Sequence, residues 1–177
     1  MMIRLVFALF LFTIPFSATQ AQDKKKIEIL GADVLTTGTV NGEKVRKLIG
    51  NVKMKQDDVY MDCDSAYFFT NRNATDAFGN VYIHQQDLQI YADSLKYNGD
   101  DRIADLYGNV RLIEPRMNLT TKRLTYNMVT KTAKYSKGGH ILNDETDLVS
   151  EVGYYNSETH IAFFRYNNSS FPLLILS

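Results

Sequence analysis

Cysteine, tryptophan and proline are scarce in this chain, which has one, none and three of them among its 177 residues. A single cysteine excludes an intrachain disulfide, so stability has to come from packing or from repetition. Cys63 also lies far from the N-terminus, which excludes a lipoprotein anchor at that residue. The chain is instead rich in tyrosine (11) and phenylalanine (10), with many valines and threonines, and this composition favours β-structure.

The chain also lacks an excess of charge of either sign, because 20 Lys and Arg balance 20 Asp and Glu. This balance argues against nucleic acid as a partner. The short basic clusters at residues 24–26 and 44–47 are interpreted as a solvated start of the domain and a solvated strand edge.

A long apolar run occurs only at the N-terminus. Residues 5–16 are apolar, follow Arg4 and precede the small residues of a cleavage site, a pattern that predicts a signal peptide over residues 1–21. The run is shorter than the roughly 20 residues that a transmembrane helix needs. We therefore expect export to the periplasm, with a mature chain that begins near Gln22 and is long enough for one domain.

An internal repeat organises the rest of the chain. Gly-Asn-Val occurs at residues 50–52, 79–81 and 108–110, and its two equal intervals define a repeat with a period of 29. Other pairs recur at the same spacing, namely Asp64-Ser65 with Asp93-Ser94, and Tyr97-Asn98 with Tyr126-Asn127 and Tyr155-Asn156. Such units cannot bury an apolar face alone, so we expect them to stack and share one interior.

Apolar and polar residues alternate after each Gly-Asn-Val, which predicts strands with one dry face and one wet face. The dry positions of successive units align as Val52/Val81/Val110, Met54/Ile83/Leu112, Val59/Leu88/Met117 and Met61/Ile90/Leu119. The intervening residues predict the wet face, and they include Lys53, Lys55, Gln85, Gln89, Arg111, Glu114 and Asn118.

Two bends are expected in each unit. The apolar parity slips by one residue after Cys63, Ala92 and Thr121, which is typical of a β-bulge. Gly50, Gly79 and Gly108 mark the other bend, and the asparagines that follow them suit either turn geometry or a side-chain ladder along the stack. Each unit is therefore interpreted as two strands folded back on each other.

The first and last units depart from the repeat. Residues 31–49 form a degenerate first unit with a hairpin signal at Asn41-Gly42. Lys137-Gly138-Gly139-His140 replaces Gly-Asn-Val in the fourth unit, and a polar loop is expected at residues 144–147. We assign residues 22–165 to the repeat domain. Residues 166–177 form a non-repeat tail. This tail either results from truncation of a longer repeat protein or is a hydrophobic segment that covers the edge of the last strand.

The polar residues show no catalytic or metal-binding pattern. The three histidines, at positions 84, 140 and 160, have no ligand spacing and are interpreted as surface or loop residues. Cys63 lies at an apolar position with no histidine placed beside it, which favours a structural thiol. The acidic residues at 62, 64, 93, 100 and 101 fit turns and the wet face better than a calcium roll. The sequence therefore predicts no enzyme, no cofactor and no metal.

Two kinds of β-stack fit the pattern so far, a closed solenoid filled by its own side chains and an open jellyroll that admits a guest. The sequence also resembles the OstA-like family of lipopolysaccharide-transport proteins, which includes LptA and the periplasmic domain of LptD. Its best-matching segments are residues 79–81, 90–97 and 106–110, and the resemblance extends over residues 27–165. It implies an all-β jellyroll whose apolar columns line an open groove for lipid A acyl chains.

The resemblance also implies lipopolysaccharide as the ligand, other lipopolysaccharide-transport proteins as partners through edge-strand pairing, and head-to-tail homo-oligomers. The residues expected to contact acyl chains are Val52, Met54, Val81, Ile83, Ile90, Leu95, Val110, Leu112, Leu119 and Leu124. A structural or adhesion β-solenoid that binds proteins through its wet face is the first alternative. A β-helix enzyme ranks last, because no acid and base pair recurs at one position.

Overall fold

The computed structural model describes residues 25–115, 117–143, 147–166 and 169–175, and side chains only as far as Arg165. The signal peptide expected at residues 1–21 lies outside these ranges. The all-β class is confirmed, since the described residues form fourteen strands and one short 3₁₀ turn at Thr70–Arg72. No helix in this part of the chain is long and apolar enough to cross a membrane.

The strands follow one another along the chain as β1 (Glu28–Gly31), β2 (Val34–Val40), β3 (Glu43–Gln56), β4 (Val59–Phe69), β5 (Ala74–Gln85), β6 (Leu88–Asn98), β7 (Ile103–Glu114), β8 (Met117–Asn127), β9 (Thr132–Tyr135), β10 (Gly139–Leu142), β11 (Asp147–Ser150), β12 (Val152–Asn156), β13 (Ile161–Tyr166) and β14 (Ser169–Ile175).

All fourteen strands belong to one antiparallel sheet, and β3 to β8 pair in sequence order as three long hairpins. At one end, β1 and β2 both pair with β3. At the other end the sheet divides, because β8 pairs with β9 over residues 125–127 and with β10 over residues 118–121. One branch continues through β12, β13 and β14, and the other ends at β11.

A line of bulges crosses the sheet. Every pairing between β3 and β8 shifts its register near the strand centre, for example between Asp62 and Ser65 and between Phe78 and Val81. The two bends expected in each unit therefore lie opposite each other in neighbouring strands, and together they make one fold line. The repeat period, as a period of the whole fold, stays a prediction.

The fold line divides the sheet into two leaves. Leaf A comprises residues 43–49, 65–69, 74–78, 94–98, 103–107 and 123–127, and leaf B comprises residues 52–56, 59–63, 81–85, 88–92, 110–114 and 117–121. Their apolar faces meet, as the 3.7 Å contact between Thr75 Oγ1 of leaf A and Met54 Sδ of leaf B shows. The core lies between the leaves.

Each Gly-Asn-Val forms a clamp on the fold line. Gly79 and Asn80 both have positive φ values, 75° and 44°. The Asn80 side chain donates a hydrogen bond to Asp64 of the neighbouring strand at 2.9 Å. A Cβ at Gly79 would lie 2.3 Å from an Asp64 carboxylate oxygen, so the site requires glycine. The same hydrogen bond joins Asn51 to Asp33 and Asn109 to Asp93, and of these two asparagines only Asn51 shares the positive φ value. The asparagines thus serve bulge geometry rather than a ladder.

Candidate functional site

The ten residues expected to contact acyl chains lie together in the core. Each has 2% or less of its surface exposed, and all belong to one hydrophobic cluster. Leaf B carries eight of them because apolar residues alternate there with outward-facing polar residues. Leu95 and Leu124 reach the same interior from leaf A, because the bulge on the fold line shifts the inward-facing positions by one residue.

Side chains fill this interior. Leaf A presents small residues, among them Ala66, Ala77 and Ala104, and the larger aliphatic side chains of leaf B pack opposite them in the same cluster. Ile83 and Leu112 are fully buried in this arrangement. Since protein interiors are close-packed, an acyl chain can reach these residues only where the leaves separate.

Three buried tyrosines on leaf A and β12 follow one another at the repeat spacing, and two of them reach across the interior to leaf B. Tyr97 donates a hydrogen bond to Gln56 at 2.6 Å, and Tyr155 donates one to Glu114 at 2.7 Å. The Tyr126 hydroxyl lies 3.1 Å from the Ser157 hydroxyl. Burial raises the pKa of Tyr126 to about 12 and raises the pKa values of Tyr97 and Tyr155 further, so all three remain neutral.

The asparagine after each of these tyrosines closes a turn at the end of leaf A. The Asn98 side-chain oxygen accepts hydrogen bonds from the backbone N–H groups of Asp100 and Asp101. Asn127 and Asn156 accept the equivalent pairs from the residues two and three positions later. This local bonding accounts for the recurrent Tyr-Asn pair, since asparagine mimics a backbone turn.

A polar column closes the interior on the side opposite the fold line. Gln56, Gln85 and Glu114, which share the spacing of the repeat, lie at interior positions at the end of leaf B. Gln56 and Gln85 are 1% and 7% exposed. The assignment of Gln85 to the wet face was therefore wrong, whereas Glu114 is half-buried and accepts a hydrogen bond from Tyr155. Their spacing and their parity, two residues after Ile83 and Leu112, were the signal that identifies them.

Contacts between the polar column and the turns of leaf A form what we call the seam. Gln56 donates a hydrogen bond to the Gly99 carbonyl oxygen at 2.8 Å. Gln85 accepts a hydrogen bond from the Lys131 ammonium at 2.6 Å, and its own amide donates at 3.0 Å to Asp58 in the neighbouring turn of leaf B. The seam thus joins leaf B to leaf A through side chains, whereas the fold line joins them through the backbone.

Charged residues strengthen one end of the seam, and a cavity lies at the other. Asp57 forms ion pairs with Arg102 and, at 2.7 Å, with Lys25. Towards the C-terminal end, a cavity of about 770 Å³ separates the turns of the two leaves, and its lining includes Leu88 and Tyr126. The seam is therefore less complete at the C-terminal end.

Cys63 is a buried thiol on the apolar face of leaf B. Burial, and then the neighbouring Asp64 and Asp62 carboxylates, raise the pKa of the Cys63 thiol to about 11, which suppresses its nucleophilic thiolate. The described residues contain no group of three or more acidic, histidine or cysteine side chains arranged to hold a metal. His160 lies 3.3 Å from the Tyr155 hydroxyl and belongs to the seam.

Comparisons with known proteins agree with this architecture. No curated protein sequence matches the chain. The crystal structure of LptH from Pseudomonas aeruginosa, described as the LptA-homologous periplasmic component of a lipopolysaccharide transport device, is similar in fold, with a TM-score of 0.50 and 14% identity over 58% of this chain and 76% of that one. The sequence model of the OstA-like protein family matches residues 24–170, and the chain therefore belongs to the OstA-like family.

Proposed function

We propose that this protein binds lipopolysaccharide in the periplasm and passes it towards the outer membrane. Membership of the OstA-like family and the fold shared with LptH support a role in lipopolysaccharide transport. The observation that carries the proposal is the continuous apolar interior between two leaves, which extends from Val52 at one end of the sheet to Leu124 near the other.

The ten core residues are proposed to hold lipid A acyl chains. Each buried CH₂ group contributes about 0.8 kcal/mol, so binding needs no catalytic group and no cofactor. A bound acyl chain replaces contacts that the two leaves make with each other. The loss of these contacts lowers the net affinity for the acyl chain and favours its release to the next carrier. Energy for directional movement would come from a partner upstream.

The seam is the proposed route of access. The fold line is a continuous backbone and cannot part, whereas the seam depends on side-chain contacts such as that of Gln56 with the Gly99 carbonyl and that of Gln85 with Lys131. The sugars of the ligand would remain in water outside the seam while its acyl chains entered between the leaves. Because the cavity beside Tyr126 already separates the turns there, opening is expected to begin at the C-terminal end.

Partner proteins are proposed to pair with the ends of the sheet. The N-terminal end exposes four apolar side chains around β1, β2 and β3, namely Leu30, Val34, Leu35 and Ile49, each about half exposed. Free backbone groups and apolar side chains on an edge strand suit β-augmentation by another transport protein or by a second copy of the chain.

A second candidate function follows from the filled interior. Full burial of Ile83 and Leu112 is what a self-filled β-solenoid would also show, and such a protein would act as a structural or adhesion module through its outer face. The two functions differ in one respect, because only the transport protein admits a guest between its leaves.

Site-specific photocrosslinking tests the proposal. A photoreactive amino acid at Met54, which is buried, is compared with the same probe at Lys53, its exposed neighbour in the same strand. We expect lipopolysaccharide to crosslink at Met54 and much less at Lys53. Absence of crosslinks at Met54 in a protein that still melts cooperatively would refute acyl binding and favour the solenoid.

A further inference from the structure

A groove on the outer face of leaf B lies apart from the interior and from the seam. It runs between β7, β8 and the connection from β9 to β10, with a volume of about 700 Å³. We call it the outer groove, and its charged and aromatic lining consists of Tyr91, Arg111, Lys122, Lys137 and His140.

The outer groove is cationic. Among the residues that the structure describes, its lining contains no acidic side chain, and Arg111, Lys122 and Lys137 take part in no ion pair. Two carboxylates lie beside this lining: Asp147 is 2.7 Å from His140 Nε2, and Asp93 accepts hydrogen bonds at 3.0 Å from the Asn109 backbone and side chain.

Packing holds the cationic groups in place. The Arg111 guanidinium lies 4.8 Å from the centre of the Tyr91 ring, on the directly opposite residue of β6. Stacking fixes the plane of the guanidinium and leaves its N–H fork free to donate. Thr121 donates a 2.6 Å hydrogen bond to the Gly138 carbonyl oxygen, which fastens the connection that carries Lys137 against β8.

We propose that the outer groove binds a phosphate monoester group carried by a sugar or by a lipid headgroup. A phosphate dianion accepts charge-assisted hydrogen bonds, which an arginine fork and two nearby ammonium groups can donate together. The tyrosine beside Arg111 offers an apolar surface for the carrier of the phosphate. This site does not depend on the interior acyl site, so it can be tested separately from the transport proposal.

Calorimetric titration of the mature protein with glucose 6-phosphate tests the site, with glucose as the uncharged comparison. The groove variant carries Arg111→Gln, Lys122→Gln and Lys137→Gln. The control variant carries Lys44→Gln, Lys53→Gln and Lys96→Gln, which remove the same charge from exposed positions elsewhere on the sheet. We expect Kd to rise at least about tenfold in the groove variant, or about 1.4 kcal/mol, and to change by less than about twofold in the control.

Vesicles distinguish the source of the phosphate. Cosedimentation with phosphatidylcholine vesicles that contain phosphatidic acid is measured beside pure phosphatidylcholine. Loss of both glucose 6-phosphate and vesicle binding in the groove variant supports a site for phosphate from either source, and loss of vesicle binding alone supports a lipid headgroup site. Equal binding by the groove and control variants, or no binding of either probe by the native protein, would overturn the proposal.

Discussion

The fold line and the seam border the same interior but are built differently. At the fold line the backbone continues from one leaf to the other, and clamps such as Asp64–Asn80 fix the bend beside glycines with positive φ values. At the seam the leaves meet only through side chains, as between Gln56 and Tyr97. The comparison indicates a hinge on one side and an opening on the other, with the apolar residues between them.

The largest effect is expected from a charge placed in the core that lies between the fold line and the seam. Ile83→Asp places a carboxylate at a fully buried position, and an unpaired buried charge destabilises strongly. We expect a loss of about 4 kcal/mol or more in the free energy of unfolding, measured by urea denaturation. Asn118→Asp, on the exposed face of the same leaf, should change stability little. A folded Ile83→Asp protein that binds lipopolysaccharide as well as the native protein would contradict the proposed site.

The hinge can be broken at Gly79. Gly79→Ala adds both the strain of a positive φ and a Cβ placed 2.3 Å from the Asp64 carboxylate. We expect a loss of about 2 to 3 kcal/mol in unfolding free energy. Gly42→Ala is the matched control, since Gly42 has a φ of 84° but no atom within 4 Å of the added Cβ, and it should lose only about 1 kcal/mol. Adding Asp64→Ala should relieve the steric part of the Gly79→Ala loss, and equal losses at Gly42 and Gly79 would argue against the clamp.

The seam can be loosened at Tyr97. Tyr97→Phe removes the hydroxyl that donates to Gln56 and leaves a buried amide oxygen without that partner, so unfolding free energy should fall by about 1 to 2 kcal/mol. If the seam is the opening, this variant should also take up fluorescently labelled lipopolysaccharide faster than the native protein in stopped-flow mixing. Asp64→Ala, which weakens the hinge instead, should destabilise without faster uptake. The same uptake rate in both variants would remove the functional distinction between the two borders.

The sequence predicted the interior better than its polar border. Alternation placed Val52, Ile83 and Leu112 on one face, because burial of a strand face selects apolar residues with a period of two. It failed at Gln85, since a rule that assigns polar residues to water cannot recognise a polar side chain that is buried because it has a partner. One such partner, Lys131, comes from the turn at residues 128–131, which only the folded sheet brings close.

The sequence also could not predict how much space lies between the two leaves. The same apolar columns fit an open groove and a filled interior, and the choice depends on how closely the two leaves approach. That approach is set by the alanines of leaf A, such as Ala77 and Ala104, and by tyrosines long enough to reach across. The tail contains another feature that the sequence pattern did not predict. Residues 169–175 show no alternation of apolar and polar residues, yet they form β14 and pair with β13.

The last effect appears only at alkaline pH and again separates the two borders. Tyr126 ionises near pH 10 in an unfolded chain, and burial raises its pKa to about 12 in the folded protein. The folded state therefore retains a proton that the unfolded state has released, so stability is complete below pH 10 and is lost progressively between about pH 10 and 12. Tyr126→Phe should make this part of the profile of unfolding free energy against pH less steep, with the remaining slope due to Tyr97 and Tyr155, whose pKa values burial also raises. Gly79→Ala should lower the whole profile without changing its slope. Since Tyr126 lines the incomplete end of the seam, an unchanged slope in Tyr126→Phe would mean that this end is already solvated, which would place the opening there without any need to separate the leaves.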